Sequence, residues 1–216
     1  YILKADIAIA NIEVTFAGKP YSGYPAFSSP DALADGLKTA GYDILLTANN
    51  HIYDRGKAGL ERTLSVLDNR KLQHLGSYKN MTERDSTYPL VINVKDLNIA
   101  FLNYTYGTNN SKIEYPNTVN LIDTTLILND IRKAKRKNAD IIIFTVHWGD
   151  EYQTVAGPGQ MGLARMLERE GVNLIIGAHP HVVQNAEDLT SNAGYYNSCP
   201  VFYSLGNSIS NQRKED

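Results

Sequence analysis

The sequence predicts an α/β fold, a mixed sheet flanked by helices. Three observations carry that reading. Short, continuous apolar runs alternate with stretches of helical periodicity. Such runs belong to strands covered on both faces. Two further strand-like runs are separated by two residues only, which makes part of the sheet antiparallel.

Taken in order, Ile7-Ala8-Ile9-Ala10 is the first apolar run. Ser29-Pro30-Asp31 reads as a helix start, with a serine cap, proline in the first turn and an acid near the positive end. That helix runs through Leu33 and Leu37 and stops near Gly41. Ile44-Leu45-Leu46 is the next buried run. Leu60, Leu64 and Leu67 then mark a second helix by their i, i+4, i+7 spacing. Tyr88 to Val94 and Leu97 to Tyr104 flank Lys95-Asp96 as a β-hairpin. Residues 122–138 are helical, with Ile127, Ile131 and Ala134 on one face. Ile141 to Phe144 is a continuous apolar strand, and a helix from about Leu163 to Glu170 closes at Gly171. Leu174-Ile175-Ile176 and Val201-Phe202-Tyr203 are the last two strands. Tyr106 to Asn120 is polar and rich in Asn and Tyr, either a solvated excursion or the border of a site.

With 216 residues the chain fits one sizeable domain, and 43% hydrophobic residues supply a core without disulfides. The net charge of -2 argues against nucleic acid and anionic membrane surfaces as partners. Cys199 is the one cysteine, so no internal disulfide and no cysteine-based zinc site is possible. No apolar run reaches the ~18 residues of a membrane span. The chain opens Tyr1-Ile2-Leu3 with no start methionine, so a processed or trimmed piece of a longer protein is expected.

The residues at the end of each buried strand point to function. The runs lead into Asn11-Ile12-Glu13, into Asn49-Asn50-His51 with Asp54 behind, and into His147-Trp148-Gly149-Asp150-Glu151. The last two lead into Ala178-His179-Pro180-His181 and Gly206-Asn207. Carboxyl ends of strands form the ligand crevice of open α/β sheets. Four of the five histidines lie there, which chance placement would not produce. Imidazole, amide and carboxylate together suit Zn²⁺, Mn²⁺ or Fe²⁺, and one or two such ions can activate water. The candidate ligands are therefore Asn11, Glu13, Asn50, His147, His179 and His181. His51, Asp54 and Glu151 are candidate catalytic groups. On an extended strand end the spacing of His179 and His181 aims both rings to one side.

Blander roles stand beside these. Asn11 and Asn50 also suit caps, Asn207 a turn, and Asp54 the cap of the following helix. Trp148 reads either as core or as an apolar wall of the site. His74 has no suitable polar neighbours and reads as structural, and Cys199 has no base within local reach.

Ala10-Asn11-Ile12-Glu13, Ala48-Asn49-Asn50-His51 with Asp54, His147-Trp148-Gly149 with Glu151-Tyr152, Gly177-Ala178-His179-Pro180-His181 and Tyr203-Ser204-Leu205-Gly206-Asn207 resemble, in order and spacing, the CapA family of bacterial capsule synthesis, including poly-γ-glutamate capsules. The resemblance covers about Asp6 to Asn207. It implies a two-sheet sandwich like that of the calcineurin-like metallophosphoesterases, in a single domain over 1–216 that lacks its first N-terminal strand. It also implies that Asn50, His147 and His179 or His181 hold metal while His51 stands by the leaving group. Two departures leave the ion count at one or two. No Gly-Asp strand precedes Asn11, and Asn11 with Glu13 stands where phosphoesterases carry a bridging Asp.

The resemblance further implies an extracytoplasmic, cell-envelope setting, with an anchor outside this chain. Its expected partners are an anionic capsule polymer or envelope phosphoester and capsule-synthesis membrane proteins. Three functions compete: a metal-dependent hydrolase or transferase, a non-catalytic polymer-binding accessory domain, and an amide hydrolase that trims γ-linked polymer.

Overall fold

The computed structural model describes residues 2–109, 112–190 and 198–210. In chain order the elements are β1 (Ile9–Asn11), α1 (Ala32–Ala40), β2 (Ile44–Leu46), α2 (Gly56–Asn69), β3 (Gln73–Leu75), β4 (Ser77–Tyr78), α3 (Met81–Thr87), β5 (Leu90–Val94), β6 (Leu97–Thr105), β7 (Thr118–Val119), α4 (Thr124–Arg136), β8 (Ile141–His147), α5 (Pro158–Arg169), β9 (Leu174–Ala178), β10 (Ala186–Thr190) and β11 (Ser198–Phe202). They form a parallel three-stranded sheet, β1-β2-β3, and a mixed six-stranded sheet, β10-β11-β9-β8-β6-β5. A small β4-β7 ribbon accompanies them.

Alternation along the strands stacks these sheets. Leu45 joins Ala34 of α1 and Val66 and Leu67 of α2 in one apolar cluster. Its neighbours Ile44 and Leu46 face the other way and share the main core with Leu75 of β3 and Phe101 of β6. On the far face of the large sheet, Ile127, Ile131 and Ala134 of α4 and Ala164 and Leu167 of α5 complete that core. The order is therefore helices, small sheet, large sheet, helices, an α/β sandwich of two sheets.

The expected hairpin is β5–β6, paired antiparallel from Leu90↔Phe101 to Val94↔Leu97. Lys95 and Asp96 both take positive φ, 49° and 67°, the twist that suits a two-residue turn. Leu60, Leu64 and Leu67 are fully buried on α2, as their spacing demands. Helix α1 corrects one expectation. Ser29 does not cap it; Asp31 holds the N-cap position with a helical φ and no capping bond. The carboxylate of Asp31 is taken instead by Arg62, at 2.8 and 2.9 Å. The Ser29 amide donates to Thr15 O (2.8 Å), so the chain is still extended there.

Strands β3, β4, β7 and β10 and helix α3 had no apolar run to announce them. β3 is three residues long and carries Gln73 and His74. β10 is an exposed edge bearing Glu187 and Asp188. His74 is structural, with Nε2 3.0 Å from Asp68 Oδ1. Cys199 lies buried in the core on β11, where burial pushes its thiol up to about 12.

Candidate metal centre

All five expected strand-end segments converge at the carboxyl ends of the parallel strands. Strand β1 delivers Asn11 and Glu13, and β2 delivers Asn49, Asn50, His51 and Asp54. Strand β8 ends on His147, and β9 ends just before His179 and His181. The pleat decides which way His147 points. Asn103 of β6 accepts a hydrogen bond from the Ala48 amide at the tip of the small sheet (2.8 Å) and is in register with Thr145 of β8. His147, two residues beyond Thr145, shares that inward face. Trp148 falls on the opposite side, as a core residue stacked on Tyr203 and donating from Nε1 to Tyr203 O (2.9 Å). Gly177 permits that crossing: a Cβ there would lie 2.0 Å from Tyr203 O and 2.4 Å from Trp148 Nε1.

His179 and His181 reach the cluster by another route than strand alternation. Both lie beyond the end of β9, with φ of 102° and 59°. Side-chain-bearing residues rarely adopt such backbone, and its cost is tolerated chiefly where function demands a geometry.

In the cluster, His147 Nε2 is 2.9 Å from Asn50 Oδ1 and 3.4 Å from Glu13 Oε1. His181 Nε2 is 3.8 Å from the same carboxylate oxygen. One donor atom each from Glu13, His179 and His181 lie within 4.8 Å of one another. The His147 and His179 rings are 4.8 Å apart. Asn207 Oδ1 lies 3.0 Å from His181 Nδ1, so the residue after Gly206 belongs to the site's edge. Asn11 stands one step back. Its Nδ2 donates to Glu13 Oε2 (3.3 Å), and its oxygen accepts from Asn49 Nδ2 (3.2 Å), so it braces Glu13.

A second group adjoins the first. His51 Nδ1 is 2.7 Å from Asp54 Oδ2, and the imidazole stands edge-on to Phe27 at 4.6 Å. The Asp54 side chain is only 2% exposed and accepts from the Phe27 amide (2.9 Å). It is not a helix cap: α2 begins after Arg55 without any side-chain cap.

Glu151 stands at the exposed rim of the cluster, where its charge acts on Tyr106. The chain turns at Gly149 (φ 82°) and again at Tyr152 (φ 63°), which leaves Glu151 exposed on the turn. Tyr152 faces His181 instead, with ring centres 6.1 Å apart. The strand-end reading missed Tyr106 and Asn109. Tyr106 lies against His179 at 4.7 Å and parallel to His147 at 6.3 Å. Asn109 Nδ2 is 3.2 Å from Asp54 Oδ1 and 3.0 Å from His51 Nδ1. The polar loop they open was the only hint of them; Asn110 and Ser111 within it lie outside the described residues.

Electrostatics suit a cation. Burial pushes the Glu13 carboxyl up, but the His147 hydrogen bond and the His147, His181 and His51 charges outweigh it, so Glu13 sits below its ordinary value. Burial, then His147, holds His179 down at about 4, so its imidazole is neutral near pH 7 with a lone pair to offer. Burial and the charges of Glu151 and Glu13 raise the Tyr106 phenol, which stays protonated.

The donor set fits a divalent metal ion. Glu13 Oε1, His147 Nδ1 and His179 Nδ1 are buried polar atoms without a hydrogen-bond partner among the described residues. Such atoms are costly unless something completes them. Ligand atoms ~2.1 Å from a shared ion sit roughly 3.0–3.4 Å apart, close to the 2.9 and 3.4 Å that separate His147 Nε2 from Asn50 Oδ1 and Glu13 Oε1.

Comparison with known proteins agrees with this architecture. The family described as bacterial capsule synthesis protein PGA_cap matches residues 1–212. The capsule biosynthesis protein CapA of Bacillus anthracis is 30% identical over 191 residues, 86% of this chain and 44% of that protein. The PGA biosynthesis protein CapA of Bacillus subtilis (strain 168) is 31% identical over 178 residues, 82% of this chain and 44% of that protein. The chain thus spans less than half the length of these relatives. Among solved structures, the sulfate thiohydrolase SoxB of Thermus thermophilus, in complex with glycerol, superposes with a TM-score of 0.50 at 15% identity, over 82% of this chain and 30% of that one. At that identity the likeness concerns the fold, which is of the metallophosphoesterase type. The ordered strand-end motifs, their convergence and a family match over nearly every residue lead to one assignment: this chain belongs to the CapA family of bacterial capsule synthesis proteins.

Proposed function

We propose that this chain is the metal-dependent catalytic part of a capsule-synthesis protein, a hydrolase or transferase acting on an anionic capsule polymer or an envelope phosphoester. One observation carries the proposal. Glu13, remote in sequence from His179 and His181, offers with them ligand atoms that lie within 4.8 Å of one another, where Glu13 Oε1 and His179 Nδ1 are buried with no hydrogen bond of their own among the described residues, beside a preformed His51–Asp54 pair. The names of the two relatives support the capsule setting, and a place at the cell envelope beside capsule-synthesis membrane proteins is proposed with it. Among the described residues no helix is long and apolar enough to cross a membrane.

Glu13, Asn50, His147, His179 and His181 would hold one or two ions, with Asn11 and Asn207 bracing Glu13 and His181. When bound, a divalent cation supplies Lewis acidity, which activates water and offsets negative charge on a displaced oxygen. The protein's own part is orientation and proton supply. Asp54 is a carboxylate that can only accept, so the short contact places a proton on His51 Nδ1. A second proton on Nε2, across the ring, makes the imidazolium that Asp54 stabilises, and it is this proton that would pass to the leaving oxygen, leaving the neutral ring. Phe27 fixes the ring plane. The protonated phenol of Tyr106, over the His147 and His179 rings, is placed to donate to a substrate oxygen.

Purified protein assayed against phosphodiesters, phosphomonoesters and γ-glutamyl oligomers, with Mn²⁺, Zn²⁺ or Fe²⁺ and after chelation, tests this reading. Turnover that chelation abolishes and metal restores is expected, with His51→Ala lowering kcat by about 10²–10⁴-fold. Binding of polymer with no turnover of any class, metal or not, would replace it with an accessory binding role.

A further inference from the structure

The two halves of the site are joined by one residue outside all the strand-end motifs. Asn109 lies four residues beyond the end of β6. Its backbone amide donates to Asn50 O (2.8 Å), which docks the loop onto the tip of β2. The loop's stem is held as well, since the Tyr106 amide donates to His147 O (2.9 Å). The two faces of the Asn109 side chain then do different things. Its Oδ1 accepts from Asn50 Nδ2 (3.2 Å), and its Nδ2 donates to Asp54 Oδ1 (3.2 Å).

The direction of this chain of hydrogen bonds is set by which groups can donate. Asp54 only accepts, so the group facing it must be the NH₂ of Asn109. The oxygen of Asn109 therefore faces Asn50, whose NH₂ must turn toward it. That leaves Asn50 Oδ1 pointing at His147 Nε2 (2.9 Å), into the cluster. Reversing Asn109 sets oxygen against oxygen at Asp54 and NH₂ against NH₂ at Asn50, and reversing Asn50 alone sets its oxygen against the Asn109 oxygen. The proton of His51 Nδ1 is committed to Asp54, so the 3.0 Å approach of Asn109 Nδ2 to that nitrogen is packing.

We propose that Asn109 is a positioning residue that sets both halves of the site: its carbonyl holds the Asn50 oxygen inward as a metal ligand, and its NH₂ holds Asp54, and through it the His51 ring. The inference rests on the metal-dependent function proposed for this site. Partners that orient a ligand are worth about 10–100-fold in metal affinity or activity when removed.

Two substitutions separate the arms. Asn109→Ala removes both. Asn109→Asp keeps an acceptor for Asn50 and replaces the donor to Asp54 with a like charge. Isothermal titration with Mn²⁺ alone is expected to show about 10–100-fold weaker binding for N109A and at least wild-type affinity for N109D. Both variants are expected to lose about 10-fold or more in kcat with KM changed by no more than about threefold, the pattern of misplaced catalytic groups.

Wild-type Mn²⁺ affinity and kcat in N109A would overturn the proposal. Equal losses of affinity in N109A and N109D would overturn the acceptor arm. If the wild-type protein turned over no substrate, the catalytic reading would fall while the titration still tested the Asn50 arm. If it bound no metal either, a crystal structure of N109A decides: a rotated Asn50 amide and a displaced Asp54 uphold the positioning role, and unmoved side chains refute it.

Discussion

Two polar constellations are buried in this molecule, and they are built on opposite plans. In one, Arg84 of α3 donates to Asp130 of α4 and to Asn120 (2.6 Å), and stacks over Tyr88 at 4.8 Å. Tyr104 of β6 also donates to Asp130, and Asn120 Nδ2 donates to Asn103 O (3.1 Å). None of these side chains carries an orphaned buried atom among the described residues. In the other, three of the five orphaned buried side-chain atoms among the described residues belong to Glu13, His147 and His179, residues of the strand-end cluster; the other two are on His74 and Asn117. The fold can therefore saturate a buried charge when stability alone is at stake. Three unpaired atoms on residues of the converging strand ends mark a site that something else completes.

The largest effect should come from breaking the saturated network. Asp130→Ala strands the Arg84 charge, whose side chain is 3% exposed, and should destabilise the protein by about 3–5 kcal/mol in urea unfolding. Glu13→Gln, at the other constellation, should change the stability of the metal-free protein by less than about 1 kcal/mol. Similar losses from both would erase the distinction.

Acidity sharpens the contrast. His179 has an ordinary value of 6.5 and is held at about 4 in the folded protein, so between those pH values the unfolded chain binds the extra proton. Metal-free stability contributed by this residue is thus present above pH 6.5 and lost as pH falls toward 4, by at most about 3 kcal/mol. Thermal melts of the chelated protein across that window should show the decline, and His179→Gln should flatten it. An unchanged slope would place the orphaned imidazole elsewhere in the titration.

Completion of the unsaturated constellation should be measurable directly. At a free Mn²⁺ concentration 100 times Kd, the folded protein gains about 2.7 kcal/mol, and its Tm rises accordingly. Glu13→Gln should abolish that gain, while Asp130→Ala should leave it in place if the variant folds. The smallest effect is expected at Cys199. With its thiol pushed up to about 12 in the core, it should resist alkylation at pH 8 in the native protein and react only after unfolding. Rapid native labelling would contradict the core packing around β11.

Much of the architecture was legible because it depends on patterns within short windows. Leu60, Leu64 and Leu67 announce α2 through a period that only a helix gives, and Ile141 to Phe144 announces a strand buried on both faces. Lys95-Asp96 announces the hairpin without a glycine, because the flanking strands are strong. Strand β3 was hidden because three residues bearing a glutamine and a histidine carry no period at all.

The site divides in the same way. His51, His147, His179 and His181 stood out because each follows a readable strand. Glu151 followed a strand too, but past the turn at Gly149 it stays exposed at the rim, where its charge acts on Tyr106. Asn109 and Tyr106 were invisible as site residues, since asparagine and tyrosine in a polar loop are what any solvated loop contains.

The sequence by itself determined the longer helices and the apolar strands, the family, and the chemistry gathered at the strand ends, because these follow from local periodicity and residue type. Only the tertiary structure decided which groups meet. It set the left-handed backbone at His179 and His181, the inward face of His147 and the bridge from Asn50 through Asn109 to Asp54. Those depend on how two sheets stack and where a loop lands, and contacts between residues 50 and 109 leave no trace in the neighbours of either.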